Sequence, residues 1–448
     1  MKQLGVWIVC STAYLAAGCQ PPTHDDHGAT QPTAAAPPAA TRAATPAEPP
    51  ATTPAMAPAP PVVARKPKVS APSESVIKLT VAGNTRVALD LYGLLSAQPG
   101  NLFFSPYSIS SALAMTWSGA RGATADEMAD TMHYQHSLEE VASVFANLNE
   151  TLTGSNTGYE LRIANRLWGQ NGYEFAAEFL ALARDYYGAP LATVDFAGAT
   201  EAARSHINDW VAEQTNDKIE NLVPPNAIDN LTRLVLTNAI YFKGSWVRQF
   251  DPAATRDAPF RLTDGGTQTA PMMYQEARFG YARHDGMQLL RLPYEGRQVS
   301  MIVLLPDAAD GLPSLEASLN ADQLAEWMED LKEVDVQVYV PRFEMSSQFS
   351  LRQALVALGI ETAFDAKRAD FSPMLGRREL YISAAVHKAF VEVNEEGTEA
   401  AAATAVMMGI ESVREVPVFR ADHPFVFLIH DARTDSILFV GRLSNPQD

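Results

Sequence analysis

Between Ser75 and Asp448 nothing in the sequence reads as a linker: helical patterns and strand-like apolar runs follow one another to the end of the chain. A stretch of that length without a break in composition is expected to fold as one large domain. In "NTRVALDLYGLL", Val87, Leu91, Leu94 and Leu95 fall on one helical face, and "HINDWVAEQTNDKIENLV" aligns Ile207, Trp210, Val211, Ile219 and Leu222 over a longer, less regular pattern. "RLVLTNAIYF", "QVSMIVLLP", "VQVYVPRF", "KAFVEV" and "SILFVGRL" read as buried or half-buried strands. Many strands after a mostly helical first part predict the α+β class.

The same stretch contains no cysteine. The two in the chain are Cys10 and Cys19, so no disulfide can staple the domain, and its stability must come from a core for which 47% hydrophobic residues suffice. A net charge of −18 argues against nucleic acid and against anionic membrane surfaces as partners, because both are held through clustered Lys and Arg.

The first residues, "MKQLGVWIVCSTAYLAAGC", combine Lys2 with an apolar run too short to span a bilayer comfortably, the pattern of an export signal. The end of this run, "LAAGC", resembles the lipobox of bacterial lipoproteins, which implies a signal at 1–18 and lipidation of Cys19 as the first mature residue. Gln20 after it, in place of Asp, implies sorting to the outer membrane or cell envelope, with the domain in the periplasm or at the cell surface. Residues 19–74 then run through Pro, Ala and Thr without apolar periodicity and are read as a disordered tether. Some fifty such residues, at about 3 Å each when extended, reach on the order of 100 Å at most. The folded domain is placed at 75–448, touching a membrane only through the lipid.

Catalytic constellations are absent from the sequence. There is no G-x-S-x-G elbow, no H-E-x-x-H, no glycine-rich phosphate loop and no metal-ligand cysteine pattern. The chain is therefore not read as an enzyme, and neither a metal nor a cofactor is expected.

Four separated segments nevertheless resemble one family in the right order: "NLFFSPYSISSALAM" (Asn101 to Met115), "LTNAIYFKGSW" (Leu236 to Trp246), "HKAFVEVNEEGTEAAAATA" (His387 to Ala405) and "FRADHPFVFLIHDARTDSILFVGRLSNP" (Phe419 to Pro446). The chain is similar there to the serpins. That resemblance implies three β-sheets with about nine helices and an exposed reactive loop. It also implies suicide inhibition, in which a serine protease cuts the loop and the loop's N-terminal arm inserts into the main sheet while still esterified to the enzyme.

The residues of the arm can be tested against the physics of insertion. A strand entering between two others must lack proline, and the side chains it sends into a packed interior must be small and uncharged. In "TEAAAATAVMM", Thr398, Ala400, Ala402, Thr404 and Val406 form one uncharged, mostly small face, while Glu399 lies on the other with Ala401 and Ala403. Gly397, after Glu396, supplies the freedom to turn in. An inert alanine-rich surface segment would tolerate charge or proline anywhere.

By family register the scissile bond lies about fifteen residues beyond the hinge glycine, at Glu411–Ser412, with Met408, Ile410 and Arg414 as alternatives. The implied targets are serine proteases of glutamyl, elastase-like or subtilisin-like specificity. The resemblance further makes Asn238 and His387, with Ser105 and Ser108, the polar gate between the central strands, and Trp246 the residue where insertion begins. No Lys or Arg occurs from Asp126 to Glu160, where glycosaminoglycan-activated serpins are basic, so no such cofactor is expected. A monomer is expected. The alternative reading is a non-inhibitory, serpin-fold binding protein at the cell envelope.

Overall fold

Ser73 accepts a hydrogen bond from the backbone of Val76 and so opens the first helix of the computed structural model, which describes residues 71–154, 158–398 and 416–447. In chain order the elements are α1 (Glu74–Leu95), β1 (Leu102–Phe104), α2 (Pro106–Trp117), α3 (Gly122–Thr131), α4 (Leu138–Thr153), β2 (Tyr159–Gln170), α5 (Ala177–Tyr187), β3 (Ala192–Val194), α6 (Thr200–Gln214) and β4 (Leu234–Ser245). Then follow β5 (Arg256–Arg261), β6 (Thr267–His284), β7 (Met287–Pro293), β8 (Val299–Pro306), α7 (Leu312–Ser318), α8 (Ala321–Glu329), β9 (Lys332–Pro341) and β10 (Phe343–Ser350). The chain ends with α9 (Leu351–Leu358), α10 (Ser372–Leu375), β11 (Ala384–Val393), β12 (Gly397–Thr398), β13 (Val418–Arg420), β14 (Phe425–Asp431) and β15 (Ser436–Leu443).

The strands form two hydrogen-bonded sheets among the described residues. One, of six strands, runs β10-β11-β4-β2-β3, with β12 also pairing β4; the other, of nine, runs β1-β15-β14-β8-β7-β6-β9-β13, with β5 on β6. The smaller ladders expected as separate sheets are joined here because β6 is 18 residues long and pairs β5 along 267–272, β9 along 272–281 and β7 along 280–284.

Alternation along β4 splits the core in two. Leu234, Leu236, Ile240 and Phe242 face the main core with α2, whereas Val235, Ala239 and Tyr241 face a second cluster built with Ile207 and Val211 of α6. The six-stranded sheet is thus covered on both faces along β4, which is why that strand is apolar over most of its length.

Two helical expectations change in detail. Leu94 is 36% exposed, and the buried face of α1 continues instead through Ala88 and Tyr92. Helix α6 stops at Gln214, because Asn216 and Asp217 adopt left-handed φ of 52° and 59° that end an α-helix; Ile219 and Leu222 are buried by the connection that follows.

Candidate functional site

β4 and β11 are parallel neighbours at the centre of the six-stranded sheet, and they stay together for seven residue pairs, from Ala384↔Val235 to Phe390↔Tyr241. Beyond that point they part. After β11 the chain turns through Asn394–Gly397, where the side-chain oxygen of Asn394 accepts from the backbone N–H groups of Glu396 (3.1 Å) and Gly397 (3.2 Å). It then comes back along β4, with Gly397 opposite Ser245 and Thr398 opposite Gly244. The first two residues of an extra, antiparallel strand are therefore already in place at the mouth of the seam.

Only glycine fits at that turn. Gly397 has φ +143°, and a Cβ there would meet the carbonyl oxygen of Gly244 at 2.1 Å and the Cα of Ser245 at 2.6 Å. Trp246 closes the mouth. Its indole N–H donates to the carbonyl of Asn394 (3.0 Å), its backbone N–H donates to that of Glu396 (3.0 Å), and its ring stacks on Tyr294 with centroids 4.5 Å apart. Glu395, unremarkable in sequence beside Glu396, is buried: one carboxylate oxygen accepts from the Thr255 hydroxyl at 2.8 Å, and the other faces Arg342 at 3.7 Å.

Midway along the seam lies a buried polar cluster. His387 and Asn238 are register partners and hydrogen-bond through Nδ1 and Oδ1. The backbone N–H of Ser105 donates to His387 Nε2 at 3.3 Å, so Nε2 accepts and the ring is neutral with its proton on Nδ1. Asn238 Nδ2 donates to Ser108 Oγ (2.8 Å) and also to Asn165 Oδ1, and Asn165 Nδ2 returns a bond to the Ser108 carbonyl (3.0 Å). Ser105 caps α2 by accepting from the Ser108 N–H at 3.1 Å, and its hydroxyl donates to the Leu438 carbonyl at 2.6 Å. The structure thus brings Ser105, Ser108, Asn238 and His387 together, adds Asn165 of β2, and places Trp246 apart at the mouth. Of the arm, Glu396, Gly397 and the backbone of Thr398 are described; Glu399 to Thr404, Met408, Ile410, Glu411, Ser412, Arg414 and Cys19 lie outside the described residues.

Burial lowers the pKa of His387 from 6.5 to about 3. The unfolded chain therefore binds a proton between those values that the folded chain refuses, and the stability of the folded form is lost as pH falls from about 6.5 toward 3, by about 1.4 kcal/mol per pH unit. Urea unfolding at pH 7 and pH 4.5 is expected to show this loss, and His387→Gln is expected to remove that part of the pH dependence. Equal pH dependence in the two proteins would mean that the ring titrates normally.

The site is thus a sheet covered on both faces, with an antiparallel strand begun where its paired central strands part. A family model described as Serpin (serine protease inhibitor) matches residues 82–446. The chain is 46% identical over 375 residues to the leukocyte elastase inhibitor of Bos taurus and 45% identical over 375 residues to that of Homo sapiens, covering 82% of this chain and 99% of each relative. Human thyroxine-binding globulin superposes with a TM-score of 0.75 at 31% identity, over 83% of this chain and 99% of that one. The chain belongs to the serpin family.

Proposed function

We propose that the protein inhibits serine proteases by a suicide mechanism in which the cleaved reactive loop inserts between β4 and β11. The observation that carries this reading is the ladder begun at Gly397↔Ser245 and Thr398↔Gly244. Continued in register, it sets Ala400 opposite Phe242, Ala402 opposite Ile240, Thr404 opposite Asn238 and Val406 opposite Leu236. Directly opposed residues share a face, so the small, uncharged set enters the main core. The other set meets the face toward α6, where Glu399 falls opposite the half-buried Lys243. Sequence pattern and strand register therefore agree on which face is which.

The target's serine attacks the carbonyl of Glu411 to form the acyl-enzyme, and the chain from Ser412 onward is the leaving group. Roughly a dozen residues join the sheet, and at about 1 kcal/mol net per hydrogen bond this releases on the order of 10 kcal/mol. That equals the whole stability of an ordinary domain, enough to distort the protease before it deacylates. The similarity to leukocyte elastase inhibitors favours an elastase-like target, which Met408 or Ile410 would suit better than Glu411.

Incubation with glutamyl, elastase-like, subtilisin-like and trypsin-like proteases, followed by denaturing gels and mass spectrometry, tests this reading. An SDS-stable complex is expected, with a released peptide that begins at Ser412; another start moves the bond and keeps the mechanism. Cleavage by every protease without a complex would leave the second reading, a non-inhibitory binding protein, which the likeness to a hormone-carrying globulin favours.

The protein acts as a monomer held at the cell envelope of a bacterium through lipid on Cys19, after removal of the signal at 1–18, with 19–74 as tether. Labelled palmitate is expected to enter the full chain and to be lost in Cys19→Ser; equal labelling of the variant would remove the anchor from this account.

A further inference from the structure

Where β10 gives way to α9 and β11 begins, a cavity of about 580 Å³ opens in the six-stranded sheet. Its lining is largely apolar: Phe349 comes from β10, Ala384 and Val386 from β11, and Pro224 and Ala227 from the connection between α6 and β4. Few polar groups interrupt it. Gln348 spends an amide N–H on the Leu222 carbonyl at 2.8 Å. The Oγ of Ser383 accepts from the Arg233 N–H at 3.1 Å, which leaves its own O–H to donate, and the Ser350 hydroxyl, although it precedes α9, caps no backbone N–H there.

The one charged side chain in the lining is Arg352 of α9. Its Nη2 donates to the Phe364 carbonyl at 3.5 Å and its guanidinium lies 5.8 Å from the centroid of the Phe364 ring, but it meets no carboxylate among the described residues. A planar guanidinium presents paired N–H donors that match a carboxylate. An apolar cavity of this size with a few polar groups is also the usual form of a small-molecule site. A doubly charged anion such as phosphate fits less well, because one guanidinium leaves half of its charge unpaired against apolar neighbours. We propose that this cavity binds a small organic monocarboxylate, with the carboxylate held by Arg352 and the hydroxyls of Ser350 and Ser383 and the apolar body among Phe349, Val386 and Ala227.

The position of the site gives it a consequence. An arm inserted between β4 and β11 would move those strands apart by one strand spacing, ~4.8 Å. Pro224 and Ala227 belong to the chain that enters β4, whereas Phe349, Arg352 and Val386 belong to β10, α9 and β11, so the cavity is lined from both of the parts that separate. A guest in contact with both favours the closed sheet and slows insertion. This second step rests on the loop-insertion reading above; the binding itself does not.

Calorimetric titration of decanoate and of phenylbutyrate into the full chain, with no protease present, tests the site and separates a chain-like guest from an aryl one. Saturable one-to-one binding of at least one acid is expected, with the corresponding alcohol, which keeps the body and loses the charge, weaker by about tenfold or more. Arg352→Glu is expected to weaken binding as much while leaving the thermal transition in place, since a carboxylate is favourable in the first turn of a helix. Absence of saturable binding by both acids, equal affinity for the alcohol, or full affinity in Arg352→Glu overturns the proposal. If an acid binds as expected but the rate of complex formation with a trapped protease is unchanged, the site stands and its coupling to the sheet is overturned.

Discussion

On the proposed insertion mechanism, Thr404→Arg is expected to turn the protein from a trap into a substrate. The register begun at Gly397 and Thr398 carries residue 404 to the level of Asn238, on the face that enters the main core, where Asn238 and His387 are fully buried. A guanidinium arriving there has no carboxylate in the cluster to pair with, and burial of an unpaired charge costs several kcal/mol. In the uncleaved protein β4 and β11 pair directly at this level through His387↔Asn238, and the variant is expected to fold. Its SDS-stable complex is expected to fall at least about tenfold against wild type, a ratio that a cost of only about 1.4 kcal/mol on insertion already supplies, while the reactive bond is still cut.

A second readout needs no trapped enzyme. Cleavage of the wild-type loop is expected to raise Tm by roughly 10–20 °C, the equivalent of about 10 kcal/mol in a protein of this size. In Thr404→Arg the rise is expected to shrink, and in Thr404→Val to persist. Trapping by the arginine variant at the wild-type level would mean that the arm enters in another register or does not enter.

The arm proposed to insert was picked out from the sequence because the requirement placed on it is local. An alternation of small, uncharged residues without proline is visible in "TEAAAATAV" itself. The strands β4, β8, β11 and β15 were readable for a similar reason, since both of their faces are covered and they appear as continuous apolar runs. β2 was not. In "YELRIANRLWGQ", Arg162, Asn165 and Arg166 break the apolar pattern, yet the strand pairs β4 over eleven positions and supplies Asn165 to the cluster. Arg166 stacks on Trp210, 4.0 Å from the ring centroid, which offsets part of the cost of its half-buried place. Glu395 was invisible for another reason: next to Glu396 nothing marks it as the buried member, and only the approach of Thr255 and Arg342 distinguishes it. What tertiary contact decides, adjacent residues do not report.

Asn238→Leu is expected to destabilise the uncleaved protein more than the cleaved one. Leucine keeps the volume of the side chain, so little cavity is made, and the cost comes from polar partners left alone. In the closed sheet His387 Nδ1–H is left without its acceptor, while Ser108 Oγ and Asn165 Oδ1 each lose one bond and keep the one they share, for a total of about 2–4 kcal/mol and a Tm lower by roughly 2–8 °C. Insertion as proposed changes the account, because the arm would take its place between β4 and β11 and part His387 from Asn238 whatever residue 238 is. One of the three losses is then already present in wild type, so the cleaved form is expected to fall by less. Because the difference belongs to the closed state alone, the variant should also insert its arm more readily. Unfolding curves of both proteins before and after cleavage read this directly. An equal drop in the two forms would make the cluster an ordinary satisfied part of the core, and the barrier that keeps the sheet closed would have to lie elsewhere, at the mouth with Trp246, Glu395 and the turn at Gly397.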